Sequence, residues 1–154
     1  MSEEEFIIVP GKWEISYRHS AGKIGTKFFT ELRDHKRILG KRCPKCRRVL
    51  VPPRAFCERC CVATAEWVEV KDEGILTNFT VTYWQFVGLP KPPYVTALIK
   101  LDGADTGLLH FVGEVDLSDP KRIRDVLRIG MRVKAVWSEE RKGTILDIKY
   151  FKPI

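Results

Sequence analysis

Cys43, Cys46, Cys57 and Cys60 form two Cys-x-x-Cys pairs with ten residues between them, and with Cys61 they account for every cysteine of the 154-residue chain. Two residues between ligands let both sulfurs of a tight turn face one ion. Two such turns complete a tetrahedron of soft thiolates, the arrangement zinc prefers. The spacing predicts a zinc ribbon with one structural ion, although a rubredoxin-type iron centre accepts the same four thiolates. Four protein ligands close the shell and leave no position for water or substrate, so the ion would hold the fold together rather than react. The residue after each second cysteine commonly needs a positive φ and is Gly. Arg47 and Cys61 stand there instead, which predicts distortion of one or both turns. Cys61, the fifth thiol, reads as a buried or bystander residue rather than a nucleophile.

Elsewhere the sequence assembles no reacting group. Its histidines are His19, His35 and His110, and His110 lies in an alternating stretch where a packed or surface strand residue is expected rather than a general base. There is no Gly-x-Ser-x-Gly elbow, no phosphate-cradling glycine loop and no His-Glu-x-x-His. Asp102 with Asp105 and Glu139 with Glu140 fall in expected turns, where solvated carboxylates are usual. The chain therefore reads as a non-catalytic binding or scaffolding part.

Composition and charge narrow this further. Hydrophobic residues make up 44% and charged residues 31%, which suits a globular protein. The formal charge is +7, and residues 1–62 carry 14 Lys and Arg against 7 acids while residues 63–154 carry 13 against 13. Four thiolates and a divalent ion would remove about two of those charges. The first part stays basic and suits an anionic partner. The acidic, then briefly apolar start lacks the pattern of a signal peptide, and no apolar run approaches the ~20 residues that span a bilayer. A cytoplasmic protein is expected, where reducing conditions favour metal ligation over disulfides.

The elements that must position the cysteines are legible in outline. "GTKFFTELRDHKRILG" predicts a helix over 26–39, with Thr26 as cap, Gly40 as stop, and Lys27, Arg33, Lys36 and Arg37 away from the Phe and Leu stripe. After the ribbon the period falls to two. "AEWVEVKDEGILTNFTVTYW" predicts a long strand, interrupted by the turn "KDEG" and bent or broken at Gly74, and "YVTALIKL" and "TGLLHFVGEV" a hairpin. Asp119 and Pro120 open a short helix that Gly130 ends, and "MRVKAVW" and "TILDIKYF" supply two more strands. This is the element order of an OB-fold. The expected class is mainly β with an N-terminal helix: an arm and helix over 1–40, a rubredoxin-like zinc ribbon over 41–62, and a five-stranded OB-fold barrel over 63–154.

Between the first two barrel strands, "YWQFVGLPKPPYV" offers Trp84, Phe86, Leu89 and Tyr94 on a segment stiffened by proline. By alternation Trp84 faces away from Phe79 and Tyr83, so the core cannot take both sides. Such a loop loses little entropy on docking and predicts a partner interface. Zinc ribbons and OB-folds also bind nucleic acids, which makes that the rival reading. The second and third strands bring few basic or stacking residues, and the barrel part is electrically neutral, so nucleic acid is the less favoured partner.

A helix ending in "ILGKRC", "VPPR" between the cysteine pairs, then "GILTNFTVTYW", "PPYVTALIKLDGAD" and "IGMRVKAVW" together resemble the zinc-ribbon and OB-fold proteins known as acyl-CoA-associated accessory proteins of thiolases. The resemblance runs from about residue 22 to the end, departing at Arg47 and Cys61, where the family usually has Gly. It implies a non-catalytic subunit in a hetero-oligomer with a thiolase-fold enzyme, helping to form the site for coenzyme A. Members include the partner of archaeal acetoacetyl-CoA thiolase and the small subunit of benzoylsuccinyl-CoA thiolase of anaerobic toluene degradation, and the likeness leans toward the second. On that reading Lys27, Arg33, Arg37 and Arg54 are the residues expected to approach the coenzyme A phosphates.

Overall fold

The computed structural model describes residues 7–154, so the first six residues of the expected 1–40 unit lie outside the described residues. Residues 7–20 run as an arm without regular structure, every one of them exposed. Helix α1 (Gly22–His35) then buries Phe28 and Leu32, one turn apart on a single face. It starts four residues earlier than expected, with Ser20 Oγ accepting the Gly22 N–H at 3.1 Å, and Thr26 is an interior residue rather than the cap. Lys36, in the left-handed conformation at φ 53°, ends it, and the Arg37 N–H returns to the Glu31 carbonyl at 3.2 Å. Gly40, the expected stop, belongs to a strand. Ile38 and Leu39 are buried there as adjacent residues of an extended chain, and the match of their spacing to the helix stripe was fortuitous.

Strands β1 (Ile38–Arg42), β2 (Val49–Leu50), β3 (Phe56–Cys57), β4 (Val62–Ala63) and β5 (Trp67–Val70) follow in chain order. β1 is central in an antiparallel sheet of order β2-β1-β5, and β3 pairs with β4 as a separate hairpin. Gly40 is required by packing: a Cβ there would lie 2.7 Å from Val49 Cγ1 and 2.9 Å from Val51 Cγ2. The expected long strand is thus two strands. β5 pairs with β1 in the ribbon sheet, and the chain breaks at Lys71 and Asp72, within the expected turn, while Gly74 lies inside β6.

Strands β6 (Glu73–Thr82), β7 (Tyr94–Leu101), β8 (Gly107–Val112), β9 (Arg132–Trp137) and β10 (Ile148–Pro153) close into a barrel of order β10-β8-β7-β6-β9. All its pairings are antiparallel except β8 with β10, the pattern of a five-stranded OB barrel. β6 serves two neighbours and carries a register shift between Leu76 and Asn78, a bulge that helps it turn the corner. Between β8 and β9, Asp119 Oδ1 accepts the Lys121 N–H at 2.9 Å, and Pro120 opens a 3-10 turn leading into the one-turn helix α2 (Ile123–Val126). The last predicted strand starts late: Ile145–Asp147 form a 3-10 turn, in which buried Asp147 accepts the N–H groups of Lys142 and Gly143, each at 2.8 Å.

One core runs through both parts. Leu76, Ile99, Leu108, Ile148 and Phe151 from the barrel are continuous with Phe28 and Leu32 of α1 and with Ile38, Val49 and Val51 of the ribbon. Polar contacts reinforce this seam. Asp105, in the β7–β8 turn, accepts the Val49 N–H at 2.8 Å and donates its own N–H to the Val49 carbonyl at 2.9 Å. Thr106 Oγ1 accepts the Val51 N–H at 2.7 Å and donates to the Val51 carbonyl at 2.8 Å. Asp102 receives a two-point contact from the Arg132 guanidinium, at 2.7 and 2.8 Å, which holds its carboxyl below the usual range. The carboxylates expected to be solvated in this turn are therefore structural.

Candidate functional site

The metal site is built by two turns of the same form. Arg47 takes φ 64° and donates its N–H to the Cys43 carbonyl at 3.0 Å, while Cys61 takes φ 50° and donates to the Cys57 carbonyl at 2.9 Å. The distortion expected from the missing glycines does not occur; both side chains tolerate the left-handed conformation. The four sulfurs of Cys43, Cys46, Cys57 and Cys60 lie within 4.8 Å of one another, with Cys46 Sγ and Cys57 Sγ at 3.7 Å. A tetrahedron with zinc–sulfur bonds of ~2.3 Å has edges of ~3.8 Å, so the sulfur cage has the right size. Cys43 and Cys57 are buried against Leu50.

Electrostatics in the cage point the same way. The Cys46 backbone N–H lowers the Cys43 thiol to about 6, against the opposing effect of burial. Burial, then contact with the other three sulfurs, pushes Cys60 up to about 12. Four thiolate donors this close together need a cation's charge between them, which fits a site completed by a divalent ion. Such an ion would cross-link the two turns and add no reaction chemistry. Cys61 is exposed beside the cage.

Three of the four basic residues expected at an acyl-CoA site are held in ion pairs. Lys27 and Arg33 are six positions apart on α1, about 120° around the helix. Lys27 Nζ sits 4.9 Å from the centre of the Trp67 ring, which Lys41 also approaches at 5.1 Å, and Lys41 Nζ donates to the Ala65 carbonyl. Arg33 pairs with Asp34 at 2.7 Å, Arg37 with Glu31 at 2.6 Å, and Arg54 with Glu58 at 3.2 Å. Lys27 has no carboxylate partner among the described residues. It lines, with Ser20, Lys23, Thr26, Thr30 and Glu31, an open hollow of about 670 Å³ along α1.

The expected interface residues divide. Trp84, Phe86 and Leu89 are exposed on the β6–β7 loop, and Val87 beside them is fully so. Tyr94 is corrected: only 8% of it is exposed, because it opens β7 and packs edge-on to Phe111 with ring centres 5.9 Å apart. Residues not anticipated extend the surface. Leu109, 64% exposed, and Leu146, 56% exposed, join Leu89 and Phe111 around a hollow of about 290 Å³ floored by His110. Leu109 follows the alternation of β8 outward, so its exposure was readable; Leu146 was taken for a strand residue and is not one. His110 Nδ1 accepts the Phe111 N–H at 2.9 Å and Nε2 lies 3.1 Å from the Ile145 carbonyl, so the ring is a neutral Nε2 donor. Burial holds its pKa below the ordinary value.

A four-thiolate cage on a small sheet, followed by a closed five-stranded Greek-key barrel, defines a zinc-ribbon and OB-fold protein. Residues 30–64 match the rubredoxin-like zinc ribbon domain of ChsH2 and residues 67–138 its C-terminal OB-fold domain, and the chain belongs to this family. A solved structure described as "Ltp2-ChsH2(DUF35) aldolase" shares the fold, with a TM-score of 0.63 and 23% identity over 88% of this chain and 98% of that one. A DUF35-family protein of unknown function from Sulfolobus solfataricus superposes with a TM-score of 0.59 and 27% identity, over 86% of this chain and 84% of that one. No curated protein matches the sequence. No helix among the described residues is long and apolar enough to cross a membrane.

Proposed function

We propose that this chain is a non-catalytic subunit that docks onto a thiolase-fold enzyme making or breaking a carbon–carbon bond in an acyl-CoA, and that it contributes to the binding of the coenzyme A moiety. The observation that carries the reading is the exposed apolar surface formed by Trp84, Phe86, Val87, Leu89, Leu109 and Leu146 on a protein of the ChsH2 family. Leu89, Leu109 and Leu146 gather around one apolar hollow, and exposed apolar side chains grouped in this way suit a docking site. The solved relative described as an Ltp2-ChsH2 aldolase supports a two-component assembly. An aldolase and a thiolase both act on a carbon–carbon bond next to a carbonyl, so one accessory subunit suits either chemistry. Lys27, Arg33, Arg37 and Arg54 remain the residues proposed for the phosphates. Lys27 leads because its ammonium is not engaged by a carboxylate.

Nucleic-acid binding is the competing reading, and two features count against it. OB-folds usually bind oligonucleotides on their second and third strands. Here the outward residues of β7 and β8 include Leu98 and Leu109. Several ribbon arginines are also engaged by carboxylates, Arg42 with Glu66 and both Arg48 and Arg54 with Glu58. Purification of the tagged full chain from its own cells, with mass spectrometry of what comes with it, tests the reading. A stoichiometric thiolase-fold enzyme is expected; ribosomal or polymerase subunits, or bulk nucleic acid bound with a steep salt dependence, would overturn it. In the recovered complex, neutralising Lys27, Arg33, Arg37 and Arg54 together should weaken acyl-CoA binding, and unchanged affinity would refute that assignment.

A further inference from the structure

The arm N-terminal to α1 exposes a further set of large apolar side chains. Ile7, Ile8 and Val9 are 82–89% exposed, Trp13 88%, Ile15 69% and Tyr17 78%. Beyond Pro10 and Gly11 the sequence alternates. Trp13, Ile15, Tyr17 and His19 occupy one side of an extended chain, and Lys12, Glu14, Ser16 and Arg18 the other. The sides are kept apart locally: the Tyr17 and His19 rings are 5.9 Å apart, and Lys12 pairs with Glu14. Among the described residues, no backbone hydrogen bond joins residues 7–20 to the ribbon or barrel.

This is the pattern of a half-buried strand with its apolar side uncovered. Ile7, Val9, Trp13, Ile15 and Tyr17, the large side chains at odd positions, present roughly 800 Å² of surface, comparable with the ~800 Å² that one partner contributes to a specific interface. Thirteen extended residues reach about 45 Å, enough to cross the face of a neighbouring subunit.

We infer that residues 7–19 form a strap that lies extended along the partner enzyme, with Trp13, Ile15 and Tyr17 buried in that enzyme's surface and Lys12, Glu14 and Arg18 turned to solvent. The inference rests on the accessory-subunit reading above. A second copy of this chain is the less suitable occupant. The apolar surface it offers, around Leu109 and Leu146, is the one that reading gives to the enzyme, and strap exchange between copies would cover it.

The test uses the full chain and the purified thiolase-fold enzyme identified by copurification, and measures their Kd. Trp13→Glu/Ile15→Glu/Tyr17→Glu is compared with a variant of the opposite side, Lys12→Glu/Arg18→Glu. Among the described residues the arm is exposed throughout, so both variants should keep the parent's melting temperature. The apolar-side variant should weaken binding tenfold or more, since buried Trp and Tyr dominate interface energetics, and the opposite-side variant by less than threefold. A loss below tenfold in the first, or a similar loss in both, would overturn the strap while leaving the functional reading intact. Self-association of the free chain that only the apolar-side variant abolishes, with enzyme binding unchanged, would also overturn it, in favour of exchange between copies. Failure of the unsubstituted chain to bind any thiolase-fold enzyme would remove the functional reading and the strap with it.

Discussion

At the scale of single residues, several positions are fixed by backbone conformation or by a satisfied polar atom. Arg47 and Cys61 are held at positive φ with ordinary side chains. Arg47→Gly is expected to stabilise the protein by about 0.5–1 kcal/mol with unchanged metal content, because glycine removes a left-handed strain of ~1–2 kcal/mol at some cost in unfolded-state entropy; chemical denaturation with metal analysis measures both. Gly40→Ala acts in the opposite direction, forcing a methyl group against Val49 and Val51, and should cost about 1–3 kcal/mol. His110 supplies a pH dependence. Its folded-state pKa lies below the ordinary 6.5, so the unfolded chain binds the proton first. Stability from this group is complete above about pH 6.5 and declines as the pH falls toward the lower, folded-state value. Melting temperatures between pH 7.5 and 5.5 should show this decline in the parent and a shallower one in His110→Gln.

At the scale of elements, α1 and the β6–β7 loop separate stability from binding. Leu32 is completely buried in the shared core, so Leu32→Ala should cost about 2–5 kcal/mol in denaturant titration. Trp84 is 78% exposed, so Trp84→Ala should change stability by less than ~0.5 kcal/mol and yet weaken capture of the partner enzyme, a split readable by pairing a melt with a binding isotherm. Elements were legible in the sequence wherever one periodicity held without interruption. β7 and β8 show a clean alternation, and the cysteine spacing alone gave the cage. Legibility failed where a segment answers to two neighbours. Leu39 looked helical because its position happened to continue the α1 stripe, and β5 looked like the start of β6 because nothing local says that it pairs with β1. Tyr94 was read as a loop anchor because aromatics beside proline suit both a loop and the first residue of a strand. Asp105 and Thr106 carry no local sign that their partners lie more than fifty residues earlier.

At the scale of the whole molecule, the metal cage is tied through the ribbon to the rest of the fold. Val49 lies between the first cysteine turn and the barrel turn that binds its amide, so losing the ion should loosen the ribbon sheet and then the seam. Chelation is therefore expected to lower the melting temperature and to abolish assembly with the partner, with no slower reacting intermediate complex; size-exclusion chromatography before and after chelator shows which occurs. The seam also bears on how such proteins diverge. Asp105 and Thr106 hold the backbone of Val49 and Val51 rather than their side chains, so they constrain the path of the ribbon strand and leave its sequence free. Ribbons with quite different residues at those two positions should be interchangeable among relatives with an acidic residue and a hydroxyl in the β7–β8 turn. A graft onto a barrel lacking that pair should fail however well its core residues match.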